Sequence, residues 1–225
     1  MKIKPDDFRT LLNWALSLIS RATRLTAHES ESFYRLAQEK IEQALDIQPN
    51  NPRGYLLLGN IFVEKANNEL KPSLRYAHFV KACEQYELSI SKQADYFDAL
   101  YNHGIALLHR SAFSPHVLDD LNAACSALRL ALEIKPKSVK VQLNIAISQA
   151  KYARHFFEKE RDFKVAESLF LEASNKFELA AQKHGTCELY FNHGNALYRQ
   201  ALMYERADQS DLAFTTLSRC GEKYL

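Results

Sequence analysis

Two Asn-His-Gly triplets, Asn102-His103-Gly104 and Asn192-His193-Gly194, are the first residues of this chain whose types could do chemistry. An imidazole can move protons near neutral pH or ligate a metal, and a neighbouring amide can hold a substrate. Cys187 with His184 has the residue types of a thiol nucleophile and its base, but no third group or oxyanion donor accompanies them. The four cysteines, Cys83, Cys125, Cys187 and Cys220, form no CxxC pair, which predicts reduced structural thiols over disulfides or a zinc site. No glycine-rich phosphate loop, paired-carboxylate motif or HExxH spacing occurs. These observations predict a protein with no catalytic residue, metal or cofactor.

Charge offers a different kind of chemistry. From Lys135 to Lys164, eight basic residues (135, 137, 140, 151, 154, 159, 161 and 164) face three acidic ones, Glu158, Glu160 and Asp162. The local excess of +5 stands in a chain whose net charge is only +2. Such a stretch is either a solvated helical face or a patch for an acidic partner surface. The total charge does not argue for nucleic acid. Hydrophobic residues at 47% and charged residues at 25% exclude a disordered or membrane-embedded chain. No run of about 18 apolar residues is present, and the N-terminal residues lack the apolar region of a signal peptide. The expectation is a soluble intracellular protein, cytoplasmic, with no membrane insertion.

The elements that carry these residues repeat. A small residue recurs at Ala15, Gly59, Gly104, Ala146 and Gly194, with spacings of 44, 45, 42 and 48. Periods of this size mark stacked supersecondary units that bury a continuous core between neighbours. A second signature recurs as Ala37/Ile41/Ala44, Ala82/Tyr86/Ser89, Ala124/Leu128/Ala131 and Ala173/Phe177/Ala180. Offsets of four and three place each trio on one helical face. The periodicity predicts first helices over about 6–24, 52–68, 96–112, 138–157 and 187–206. Partner helices are predicted over about 29–48, 73–93, 117–135, 162–184 and 208–224. Short polar turns such as Asn67-Asn68, Ser114-Pro115 and Arg161-Asp162 separate them. His103 and His193 take the repeat position held elsewhere by Trp14, Leu58 and Ile145, so packing is their predicted role. Residues 1–225 read as a single domain.

The signatures resemble those of the tetratricopeptide repeat family. Tyr55, Leu58-Gly59 and Phe62 fit its first helix, and Ala82, Tyr86 and Ser89 fit its second. The run Ala37, Ile41, Ala44, Pro49 leading into Tyr55 keeps the family register. The resemblance implies an all-α, right-handed superhelical solenoid of about five helical hairpins. These units are longer than the ordinary 34 residues, and the surplus falls between the two signatures, which predicts lengthened helices and taller walls.

Asparagine stands two residues before the small residue at Asn13, Asn102, Asn144 and Asn192, with Leu57 the exception. In the family pattern this position faces the concave surface, where an amide can pair with an extended peptide backbone. The inward positions also include Arg53, Leu56, Asn60, Asp98, Tyr101, Ile105, Lys140, Leu143, Phe191, Asn195, Tyr198 and Arg199. The predicted partner-binding set is Asn13, Asn60, Tyr101, Asn102, Lys140, Asn144, Phe191, Asn192, Asn195 and Tyr198. The clamp that some family members close on a chaperone's C-terminal carboxylate matches at Asn60, Asn102 and Lys140. It departs at Leu56, where a lysine is expected, and at Asn144, where an arginine is expected. The resemblance implies a scaffold or adaptor that binds a segment of another protein in its groove. The alternative is a structural subunit assembling a larger complex through outer or terminal faces, including dimerisation through the C-terminal helix, where Leu212, Phe214, Leu217 and Tyr224 lie. A third reading is an RNA-binding or enzyme-regulatory array that uses the basic stretch.

Overall fold

The computed structural model describes residues 7–183 and 185–224. Among them ten α-helices follow in order and no strand occurs. They are α1 (Phe8–Ala22), α2 (Ala27–Ile47), α3 (Pro52–Asn68), α4 (Pro72–Lys92) and α5 (Phe97–Arg110), then α6 (Val117–Ile134), α7 (Val139–His155), α8 (Phe163–Lys183), α9 (Cys187–Arg206) and α10 (Ser210–Tyr224). Every helix predicted from the periodicity is present. His184, and with it the Cys187–His184 pairing, lies outside the described residues.

Local chemistry sets the helix starts. Thr26 and Glu29 form a reciprocal capping box at α2, with Thr26 N and Oγ1 donating to Glu29 Oε2 at 3.1 and 2.7 Å. Asn51 caps α3 by accepting from Arg53 N at 3.1 Å, and Pro52 occupies the first helical position. Pro72 opens α4 in the same way. Asn67 and Asn68 close α3 instead of forming a turn; the connection is Glu69-Leu70-Lys71, where the Arg75 guanidinium donates to the Glu69 carbonyl. In three of the hairpins the second helix is long: α2, α4 and α8 have 21 residues each, about 31 Å. A five-residue π-helical turn, Phe156–Glu160, extends α7 and ends at Arg161 with φ of 55°.

The chain divides between Val117 and Leu118 into two compact units. In the first, α1 pairs with α2 and α3 with α4, while α2 touches α3 and α4 touches α5. In the second, α7 pairs with α8 and α9 with α10, α8 lies against α9, and α7 reaches α9. Ser148 Oγ donates to the Leu121 carbonyl at 3.3 Å and ties α7 to α6. All four second-helix trios are buried, each residue at 1% exposure or less, as their shared face requires. The small residues of the first helices are buried as well.

Two of those small positions form a recurring device. A Cβ on Gly59 would lie 2.5 Å from the Tyr86 ring, and one on Gly194 would lie 2.6 Å from the Tyr224 ring. Only glycine lets the tyrosine of the second helix lie flat on the first. The residue after each glycine then accepts the tyrosine hydroxyl: Asn60 Oδ1 from Tyr86 at 2.8 Å, and Asn195 Oδ1 from Tyr224 at 3.0 Å. Leu56 and Leu143, assigned inward by the repeat pattern, are buried in the structure.

Candidate functional site

The second unit carries a groove between α7 and α9, with α8 as its floor. Its volume is about 320 Å³. The walls repeat one helical spacing. From α7 come Ile147, Ala150, Lys151 and Arg154; from α9 come Asn192, Asn195, Ala196 and Arg199. Both sets have offsets of zero, three, four and seven, which place each on a single stripe two turns long. Phe170 and Phe177 of α8, themselves fully buried, form the floor.

The two stripes end at the same place. Glu158, on the π-helical turn, lies between their arginines: Arg154 Nε is 3.8 Å and Arg199 NH1 3.4 Å from its carboxylate. Lys151 lies one turn before Arg154, and burial, followed by the neighbouring arginine, pushes its pKa below the usual lysine range. The lining therefore holds three cations and no carboxylate, over an aromatic floor. Such a site can take an anionic group beside an apolar one, with amides at its other end.

The predicted binding residues separate into three groups. Asn192 and Asn195 line this groove together with Arg199, and the basic stretch contributes Lys151 and Arg154. The Asn192 amide also donates to its own helix, to the Glu188 carbonyl at 2.9 Å, and Asn144 does the same to Lys140 at 2.8 Å. Lys140 is exposed at the start of α7. Phe191 and Tyr198 are exposed on α9 at 59% and 45%; Phe191 meets the Tyr224 ring edge-on instead of entering the groove.

The first unit uses Asn60 and Asn102 internally. Asn102 on α5 donates to Asn60 Oδ1 on α3 at 3.0 Å, and that oxygen also accepts from Tyr86 on α4. Asn60 and Asn102 therefore tie three helices. Asn102, expected to offer its amide to a bound backbone on the concave surface, here has an acceptor supplied by a neighbouring repeat. Tyr101 is half-buried and stacks on Phe97 with ring centroids 6.1 Å apart. Asn13 is exposed on α1, where Ser17 Oγ donates to its backbone carbonyl at 3.0 Å.

The histidines pack. His193 is 1% exposed, stacks on Phe177 at 5.2 Å and shares a hydrogen bond with Ser174 Oγ at 2.9 Å. His103 is half-buried against the Tyr86 ring, with Nε2 3.5 Å from Glu87. Burial lowers the pKa of each to about 4, aided by Arg110 at His103 and Lys223 at His193, so both are neutral at pH 7. Trp14, at the same repeat position, is 47% exposed under the Lys40 ammonium. The later copies lie against the second helix of a preceding hairpin, whereas α1 is the first described element. Among the described residues, no group of three or more His, Cys, Asp or Glu could hold a metal ion.

Sequence reasoning did not single out Ile147, Ala150, Phe170 and Ala196 as groove residues, or Glu158 as a counter-charge. The recurrence of the 192/195/196/199 spacing at 147/150/151/154 was the available signal.

No family model and no curated relative matches the chain by sequence. Solved structures do match by shape. The chain is similar to YrrB, described as a TPR protein with an unusual peptide-binding site, at 16% identity and a TM-score of 0.61, over 98% of this chain and 88% of that one. It is similar to MamA MSR-1 at 18% identity and 0.57, over 96% and 97%. It is also similar to TTC0263, a thermophilic TPR protein in Thermus thermophilus, at 14% and 0.51, over 93% and 91%. The chain has the tetratricopeptide-repeat solenoid fold.

Proposed function

We propose that this tetratricopeptide-repeat fold serves as a protein-interaction scaffold or adaptor that holds a segment of a partner protein in the groove between α7 and α9. The observation that carries this reading is the matched pair of stripes, 147/150/151/154 and 192/195/196/199, over the Phe170–Phe177 floor. Repeat folds present surfaces of this kind without chemistry of their own, and the neutral, packed histidines fit a non-enzymatic role. Asn192 and Asn195, with Lys140 and Asn144 further along α7, supply polar contacts to the partner's backbone; the partner is a protein or peptide, not nucleic acid. The free thiols suit an intracellular, cytoplasmic setting. No described helix is long and apolar enough to cross a membrane. The uninterrupted repeat period across residue 117 supports one array over 1–225.

The test is affinity capture with the wild-type chain beside Ala150→Trp, which fills the groove. Circular dichroism and thermal unfolding establish that the variant folds. Proteins held by the wild type and lost by Ala150→Trp support the groove; equal capture by both refutes it.

A second reading is favoured by α10, whose Leu212, Phe214 and Leu217 are 46%, 74% and 46% exposed. Large apolar side chains left open together on α10 suit dimerisation or assembly through that helix. Concentration-dependent mass by light scattering, abolished by Phe214→Glu, supports that reading, and a monomer at all concentrations removes it.

A further inference from the structure

Resting on the groove reading, we infer that the occupant of the α7–α9 groove is an internal acidic segment of a partner protein, presenting a side-chain carboxylate beside a bulky apolar residue, and that Glu158 is a built-in stand-in for that carboxylate. Charge complementarity carries the inference. Lys151, Arg154 and Arg199 line the groove, and no acidic residue does. Arg154 and Arg199 keep side-chain exposures of 47% and 44%, and an anion entering over the apolar floor is attracted to them through a medium of lower effective dielectric than water.

Glu158 shows which anion geometry the arginines accept. It reaches both from the helical turn that continues α7, at 3.8 and 3.4 Å. These distances are longer than a close charge-assisted hydrogen bond, about 2.7–2.9 Å. The contact therefore offsets one of the two positive charges without saturating the arginines' donors. The accepted group is a glutamate-like side chain approaching from a backbone alongside, which favours an internal acidic residue over a chain-terminal carboxylate. The volume of about 320 Å³ lies at the lower end of ligand pockets, enough for one large apolar side chain over Phe170 and Phe177. An entering carboxylate displaces Glu158, so the stand-in competes with the partner and limits its affinity.

The experiment selects a random, terminally blocked dodecapeptide library on the immobilised full chain. Fluorescence anisotropy of the enriched peptides follows, on wild type, Glu158→Gln, the Arg154→Ala/Arg199→Ala double variant and Ala150→Trp, each verified as folded by circular dichroism. The expected enrichment is Asp or Glu adjacent to Leu, Ile or Phe. Binding should weaken about tenfold or more in the double arginine variant, since each charge-assisted contact is of that size. It should tighten severalfold in Glu158→Gln. Molar salt should reduce affinity, because it shortens the reach of the charges to about 3 Å. Groove-dependent enrichment of neutral or basic peptides would overturn the acidic occupant while leaving the groove reading intact. Peptides that bind Ala150→Trp as well as wild type would overturn the groove reading itself. Acidic peptides that bind Glu158→Gln no better than wild type would refute the stand-in.

Discussion

Replacing Gly59 by alanine adds a single carbon, and the structure says what it meets. The new Cβ would lie 2.5, 2.7 and 2.9 Å from three atoms of the Tyr86 ring. Carbon atoms in contact prefer about 3.5–4.0 Å, so the ring must retreat by roughly an ångström. It has little room to do so, being 1% exposed with its hydroxyl held by Asn60 at 2.8 Å. Overpacking of this kind costs about 1–3 kcal/mol, against a gain of up to about 1 kcal/mol from the better helix propensity of alanine. Gly221 on α10 is the control: a Cβ there meets nothing within 4 Å, so its replacement by alanine keeps the gain alone. The two alanine variants should therefore differ by about 1–3 kcal/mol, with Gly59→Ala the less stable. For a chain of this length that is a melting difference of about 2–4 °C per kcal/mol. Because neighbouring repeats couple only to each other, unfolding need not be two-state. Amide hydrogen exchange in α3 and α4 should therefore accompany urea unfolding followed by circular dichroism. A third variant isolates the cause. In a Tyr86→Leu background the ring is gone, and Gly59→Ala should no longer destabilise. A Gly59→Ala protein no less stable than Gly221→Ala, or a penalty that persists without the tyrosine ring, would refute the reasoning.

The asparagines should behave unequally. Asn102→Ala removes the tie to Asn60 and should cost about 0.5–1.5 kcal/mol; Asn192→Ala, which loses only a bond to its own helix, should melt within about 0.5 kcal/mol of wild type. Equal melting of the two would show that the Asn60–Asn102 bond contributes nothing. The buried histidines set a pH dependence. Their folded pKa of about 4 lies below the unfolded value of about 6.5, so the unfolded chain binds more protons between these limits. The histidine contribution should be level above pH 7 and fall as pH drops from 6.5 towards 4, by an amount on the order of 3 kcal/mol per histidine. Comparing wild type with His103→Leu at each pH isolates one of them, and identical profiles would remove His103 from the account. His103→Leu should itself be tolerated at neutral pH, since it exchanges one packing side chain for another.

The sequence determined the repeat and its helices because both are local or periodic. The trios on each second helix, such as Ala82, Tyr86 and Ser89, lie three and four residues apart, a spacing that specifies a buried helical face wherever the chain goes. Helix starts at Asn51-Pro52 and Thr26 follow from residue chemistry at single positions. The small residues at Gly59 and Gly194 were legible as landmarks of the repeat, though not the tyrosines that lie on them, since Tyr86 and Tyr224 are 27 and 30 residues away. What the amides do was decided only in three dimensions. Asn102 and Asn192 occupy the same repeat position in the same triplet, yet one bonds to Asn60 on another helix and the other to its own backbone. The difference lies in the neighbour: α3 offers an amide oxygen to Asn102, and a partner of that kind, 42 residues distant, leaves no trace in local pattern. The charge of the groove has the same origin. Lys151, Arg154 and Arg199 become one cluster only because α7 and α9 lie side by side, and Glu158 reaches both arginines only because a π-helical turn prolongs α7.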